Sequence, residues 1–358
     1  MASPIVDNRR LCRVLIGLLP ALLLTGLVVA GPCRAGQDVS RGGIYSINDE
    51  NDRFGSAGTD RYYTNGIKLS CVPAQTPAWA DRLGDRLRDW EGRPVNDRRR
   101  VVFSLGQNIY TPQDIERSDL IAEDRPYGGW LYLGLGIHDR QGSHLDSSEL
   151  ILGMVGPQSY AGDTQIWWHK NIIGLENTRE PKGWDNQLEN EFGLVLIRER
   201  KWRVMARQFG GALGFDAITH LGGAFGNIYT YGNTGGEVRF GWHLPEDFGS
   251  SQSRPAGDAS VFSGAGCHDN PADFAVHFFA RLDGRLILRN IFIDGNTFAH
   301  SHSVDRDPWV ADLSAGTSLT VWKNFNLTFT HVYRTKEFKN QPLSHIFGSI
   351  TLSYLRHY

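Results

Sequence analysis

The sequence is poor in sulfur: three methionines and four cysteines in 358 residues. It contains no Cys-x-x-Cys pair and no zinc-type spacing, which excludes a disulfide scaffold, a dithiol redox motif and a zinc fold. Basic charge is not in surplus, with 37 Lys and Arg against 39 Asp and Glu, so nucleic acid is not an expected partner. A Gly-x-Ser-x-Gly elbow is missing, which leaves a serine nucleophile without support. Beyond residue 35 no apolar run approaches the length of a transmembrane helix.

Glycine, by contrast, is abundant, at 41 residues where roughly 7% is usual. It is spread along the chain together with tryptophan and tyrosine, which suits a β protein better than a helical bundle.

The N-terminus carries Arg9, Arg10 and Arg13, then an uncharged stretch from Val14 to Ala30, then Cys33-Arg34-Ala35 with small residues at the positions a signal peptidase reads. This layout predicts a secretory signal peptide over residues 1–35 rather than a retained anchor. Pro32 directly before Cys33 argues against a lipoprotein signal. Cleavage would remove four Arg and one Asp and leave a net charge near −5 on residues 36–358. Cys12 and Cys33 would leave with it. Cys71 and Cys267 would remain, able to pair in an oxidising compartment.

Residues 36–358 are expected to form one outer-membrane domain that crosses the bilayer without a helix. Ile67, Leu69 and Cys71 alternate with Lys68 and Ser70. Val101, Phe103 and Leu105 alternate with Ser104 and Gly106, and Val238, Phe240 and Trp242 with Arg239, Gly241 and His243. Period two gives a strand one apolar and one polar face. Ile346, Gly348, Ile350, Leu352, Tyr354 and Tyr358 share one face of the last segment, opposite Ser349, Thr351 and Ser353. An outer-membrane barrel has this apolar outside, polar inside and aromatic rim. The runs Leu319 to Thr335 and Ile346 to Tyr358 exceed the ~5–6 residues of ordinary soluble strands. The fold expected is therefore all-β: a transmembrane antiparallel β-barrel of roughly a dozen strands, with short helices in its loops. Pro77 to Trp90 reads as a short amphipathic helix. Thr164 to Glu191 lacks strand alternation, and Pro245 to Asp273 reads as a loop at a barrel rim.

Three segments carry candidate chemistry. Asn48-Asp49-Glu50-Asn51-Asp52 masses oxygen ligands that suit a hard cation such as calcium, or else a plain polar turn. Thr59-Asp60-Arg61-Tyr62-Tyr63-Thr64-Asn65-Gly66 ends on a turn signal, and Thr64 could present its hydroxyl beside the acidic pair. Trp167-Trp168-His169-Lys170 sets one histidine directly after two tryptophans, with Glu176 and Glu180 near enough in sequence to orient an imidazole. A base held by a carboxylate is a recurring hydrolytic arrangement.

Together these segments resemble the outer-membrane lipid A 3′-O-deacylase family. The resemblance rests on Glu50-Asn51-Asp52, the Thr59 to Gly66 block, Asp124-Arg125-Pro126-Tyr127-Gly128-Gly129-Trp130-Leu131-Tyr132, His169, and Gly183-Trp184-Asp185-Asn186-Gln187-Leu188. Each block alone is weak, but in this order they are specific and span essentially the whole mature chain. The resemblance implies a twelve-stranded barrel with its site near the extracellular end of the lipid-facing wall. It implies a calcium-dependent enzyme that removes the 3′-linked acyloxyacyl group from lipid A, the anchor of lipopolysaccharide in the outer leaflet. By position it makes Asn51, Asp52 and Thr64 the strand part of the site, Asp52 the metal ligand, His169 the base and Glu176 its supporting carboxylate. One extra residue after His169 sets Glu180 beside Glu176 as a candidate. Between Gln113 and Asp124 only Arg117 is basic, so the phosphate contact that the resemblance implies there is weaker, and Arg125 could compensate. The rival readings are an outer-membrane phospholipase and a passive channel.

Overall fold

A computed structural model of the chain describes residues 42–55, 60–96, 98–171, 180–250 and 273–356. The expected signal peptide, Glu176 and Cys267 lie outside the described residues. Twelve antiparallel strands close into one barrel. They are β1 (Gly43–Asn51), β2 (Tyr62–Val72), β3 (Arg98–Thr111), β4 (Gly128–Gln141), β5 (His144–Val155), β6 (Glu191–Gln208), β7 (Leu213–Gly226), β8 (Tyr229–Trp242), β9 (Phe274–Asn290), β10 (Trp309–Val321), β11 (Phe325–Arg334) and β12 (His345–Arg356). Closure is made by β1 against β12, from Gly43 opposite Arg356 to Asn51 opposite Gly348. A closed ladder satisfies every strand's backbone without water, which an open sheet in lipid cannot do. Among the described residues three α-helices lie in connections: α1 (Ala78–Trp90), α2 (Ala161–Asn171) and α3 (Ile291–Asp294). Among the described residues no helix is long and apolar enough to cross a membrane.

The alternation read from the sequence sorts the residues as expected. Leu133, Leu221, Phe225, Phe278, Leu282 and Leu313 point outward and are each more than half exposed. An apolar belt of that size is untenable in water and suits lipid. On β12, Ser349, Thr351 and Ser353 are buried in the lumen while Leu352 and Tyr354 face out. One expected strand is two: Leu319 to Thr335 is broken at Trp322 and Lys323, whose φ values of 53° and 63° make a tight left-handed turn between β10 and β11. A hairpin turn needs this conformation, but Trp-Lys-Asn lacks the Asn-Gly or Asp-Gly signature that would have marked it.

The lumen is filled by paired charges. Arg239 grips Asp216 through two bonds of 2.8 and 2.6 Å, and Arg334 grips Asp312 through two of 2.8 and 2.9 Å. His220 Nε2 lies 2.7 Å from Asp283. Both ends of the chain's described part, Gly42 and Arg356, lie at one rim, here called the terminal rim. At that rim residues 245–250 fold back into the lumen. Asp247 accepts from Arg239, and Phe248 sits under the guanidinium groups of Arg203 and Arg140 at 5.3 and 5.7 Å. Ser250 donates its backbone N–H and hydroxyl to Glu237 at 2.8 and 3.0 Å. At the far rim Phe292 of α3 stacks on Tyr110 at 4.0 Å, and Tyr110 shares a 2.7 Å hydrogen bond with Tyr229.

Candidate active site on the outer wall at the far rim

The site begins where β1 ends. Period two divides the acidic segment between two faces: Asn48 and Glu50 turn into the lumen, whereas Asp49 and Asn51 share the outward face with exposed Ile47. Five consecutive polar residues therefore do not make one cluster. Asn51 caps the turn that follows, its Oδ1 accepting from Arg53 N–H at 2.9 Å. Asp52 in that turn is fully buried. Its Oδ2 accepts the backbone N–H of Arg61 at 2.7 Å, and its Oδ1 is buried without a hydrogen-bond partner.

The chain then enters β2 through Tyr62, whose φ of 62° is left-handed. A non-glycine residue in that region is strained. It is held there by its buried ring, which packs against Phe338 and His345 at 5.9 and 5.7 Å. A register shift follows between Tyr63 and Asn65, where Thr64 bulges out of the β2–β3 ladder. Thr64 Oγ1 meets Thr111 Oγ1 at 2.7 Å, one position beyond the pair Asn51–Asn65.

Helix α2 brings the histidine. It lies outside the wall: Ala161 packs with outward Ile109, Tyr127 and Trp184, and outward Gln107 donates to the carbonyl of Ser159 at 2.6 Å. Gly129 makes this approach possible, because a Cβ there would lie 2.1 Å from Ala161 Cβ. Trp184 donates its indole N–H to Gln165 Oε1 at 2.9 Å and so ties α2 to the following loop. Asp124 closes the neighbouring loop by accepting from the N–H groups of Gln113 and Arg125, each at 2.7 Å. His169, in the last turn of α2, is buried, and its Nε2 lies 3.2 Å from Asp60 Oδ2.

One row thus runs from His169 to Asp60 to Asp52, with Asn51 and Thr64 beside it. Burial first, and the Asp60 carboxylate second, push Asp52 well above the ordinary carboxylate range. Two acids held together with a buried, unpartnered oxygen are what a cation would relieve, so this donor set fits calcium. Among the described residues no three His, Cys, Asp or Glu side chains gather into a metal cluster. Calcium also accepts carbonyl, amide and water oxygens, so a site with two carboxylates would suit it.

The sequence profile of the outer membrane protein LpxR family matches residues 18–355, nearly the entire chain. The chain belongs to the LpxR family. LpxR from Salmonella typhimurium has a similar structure, with a TM-score of 0.67 and 17% identity, covering 87% of this chain and 99% of that one. At that identity the likeness is one of fold. The β domain of the Bordetella autotransporter BrkA is similar over 88% of this chain and 99% of its own, at 10% identity and a TM-score of 0.41. The translocator domain of the Neisseria meningitidis autotransporter NalP has a TM-score of 0.36 at 9% identity, over 98% of each chain. No curated protein sequence matches this one.

In this LpxR-family chain, Asn51, Asp52, Thr64 and His169 come to one side of the far rim. Glu176 lies outside the described residues. Glu180 is exposed and faces Lys170, 3.4 Å away. The carboxylate that meets His169 is Asp60. It lies inside the Thr59 to Gly66 block, where the sequence gives it no role, because nothing local to residue 169 points more than a hundred residues back. Arg125 is not available for a phosphate. It is fully buried, donates to Glu337 at 3.0 Å and lies over the Tyr110 ring at 4.8 Å. Arg117 is paired with Asp119. Beside Asp52 the nearby cations are Arg53, which is exposed, and Arg61.

Proposed function

We propose that this protein is an outer-membrane lipid A 3′-O-deacylase that hydrolyses the 3′-linked acyloxyacyl ester with a histidine-activated water and a calcium-assisted site. One observation carries the reading. A buried His–Asp pair sits beside a buried, unpartnered carboxylate oxygen on the outward face of the wall, at the edge of the lipid belt. A water-soluble substrate has no reason to meet a site there. An ester whose acyl chains already lie in the leaflet does.

His169 is the base. Asp60 beside Nε2 orients the ring, and the imidazole takes the proton of the attacking water. The positive charge that forms on the imidazole is then balanced by Asp60. Asp52 and Asp60 would hold calcium with backbone carbonyls, and a cation there would supply positive charge for the oxyanion of ester hydrolysis. Asn51 and Thr64 line the strand side and orient substrate or water. Arg53 and Arg61 supply positive charge for a phosphorylated headgroup.

The test is incubation of the purified barrel with lipid A and with glycerophospholipid, each with calcium and with excess chelator. Release of the 3′ acyloxyacyl group from lipid A in calcium alone is the expected result. Release from glycerophospholipid instead would make the protein a phospholipase. No release from either, with conductance across a bilayer, would make it a channel.

A further inference from the structure

Helix α1 occupies the opposite end of the barrel from the site. It packs on the outside of the wall, where Ala80 meets Val101 of β3 and Ile137 of β4. Both of these point to the lipid side, since they continue the outward rows of Phe103 and Leu135. Beneath the helix, outward Arg99 bonds Asp139 at 2.6 Å and reaches the carbonyl of Asp81, also at 2.6 Å. Gly84 lets the helix come this close: a Cβ there would lie 2.4 Å from the Arg99 guanidinium. The end of the helix is clamped to the same outer wall. Glu91 receives Arg198 of β6 at 2.7 and 3.0 Å, and Arg93 lies 3.1 Å from Asp146 of β5.

The face of α1 that is not clamped is divided. Trp79, Leu83 and Trp90 fall along one stripe and are 43%, 40% and 84% exposed. The stripe continues the lipid-facing wall, because the Trp79 ring packs against exposed Phe103 at 6.4 Å. Arg82 and Arg86 border the stripe, and both are exposed. The helix's acids are already matched, Asp81 by Arg99, Asp85 by Arg88 and Arg99, and Asp89 by Arg88. The side chains of Arg82 and Arg86 have no ion pair or hydrogen bond among the described residues.

We infer that α1 is an in-plane membrane helix that binds anionic phospholipid of the leaflet at the terminal rim. Trp79, Leu83 and Trp90 enter the acyl region, and Arg82 and Arg86 meet the phosphate layer. An amphipathic helix with aromatic residues toward the hydrocarbon and arginines at its edge settles in this geometry. Here the barrel holds the helix at that depth, so the leaflet covers a surface that water would otherwise have to cover. The inference rests on the barrel spanning a membrane and is independent of the deacylase reading.

The test uses the mature barrel with Cys71→Ser and Cys267→Ser and one nitroxide label, introduced through Leu83→Cys, Trp90→Cys or Asp89→Cys. The protein is placed in vesicles of phosphatidylcholine with phosphatidylglycerol. Power saturation should show labels at 83 and 90 meeting oxygen more than an aqueous nickel chelate, with the reverse at 89. Native mass spectrometry of the released barrel should show phosphatidylglycerol retained over phosphatidylcholine by about fivefold per arginine. Arg82→Gln/Arg86→Gln should abolish the preference, and Arg82→Lys/Arg86→Lys should keep it, in barrels that still migrate as folded. Labels at 83 and 90 as open to nickel as the label at 89 would overturn the inference and leave the stripe for a soluble partner. A preference unchanged by Arg82→Gln/Arg86→Gln would overturn it equally.

Discussion

His169 can act as a base only if something fixes which of its nitrogens holds the proton, and Asp60 at 3.2 Å is placed to do that. His169→Ala should lower lipid A deacylation on the order of 10²–10⁴-fold, the usual cost of losing a general base. Asp60→Asn should lose activity with the imidazole still present, and acid–base titration of the rate should separate the two variants. His138 and His277 are the controls. The first bonds Ser147 at 2.8 Å and the second reaches Ser250 at 3.4 Å, both within the lumen, so their Ala variants should stay active. A fully active His169→Ala barrel would remove the centre of the proposal. The cation is tested at the same scale: chelation should abolish turnover, and calcium should restore it better than magnesium, which demands a stricter octahedral shell. Asp52→Ala should raise the calcium concentration needed for half activity, a shift that a purely structural role would not produce. Asn51, Asp52, Thr64 and His169 were legible as candidates because their motif blocks keep a recognisable order. The pairing of His169 with Asp60 was not, since contact across such a separation depends on how α2 lies over the wall.

That placement is an element's property, and it is set by small residues. Gly128 faces Phe292 and Leu188 inside the barrel, while Gly129 faces Ala161 outside it. The Gly-Gly pair in the third motif block therefore works on both sides of one wall. Gly129→Leu should push α2 outward, because its first added carbon already lies 2.1 Å from Ala161 Cβ. A misplacement of about 1 Å costs on the order of 10²-fold in rate. The variant should lose activity while its β-rich circular dichroism and heat-modifiable migration stay those of the parent. An active Gly129→Leu protein would show that α2 does not carry the base. Strands were easier to read than helices here. Inward and outward rows repeat every second residue along each strand, whereas α2 buries only Ala161, Gln165 and His169 and carries no strong apolar stripe. The helix α1 stood out because its apolar and charged residues separate cleanly. The break at Trp322 stayed hidden because a left-handed turn can be built from residues that do not advertise it.

On the scale of the whole molecule, a closed barrel is either a conduit or a scaffold, and the lumen decides between them. Its charges are engaged with each other: Arg239 with Asp216 and Asp247, Arg281 with Glu237, Arg285 and Arg334 with Asp312. Breaking a buried pair of this kind typically costs about 3–5 kcal/mol, so ions passing through would have to compete with the protein's own partners. Residues 245–250 also bond into the lumen at the terminal rim, and Tyr110, Tyr229 and Phe292 pack together inside the far rim. Mass spectrometry of the membrane-extracted protein should find a mature N-terminus near Gly36, so the functional molecule would be this barrel without its leader. In a planar bilayer that molecule should pass no steady current. Asp247→Ala should change this, because it removes the tie between residues 245–250 and Arg239 and loosens the Phe248 contact with Arg203 and Arg140. Intermittent openings are then expected while lipid A deacylation, on the other side of the wall, continues at the parent rate. Steady conductance by the unmodified protein would overturn the scaffold reading, and so would an Asp247→Ala variant that conducts only as deacylation is lost, since lumen and outer wall would then share one function.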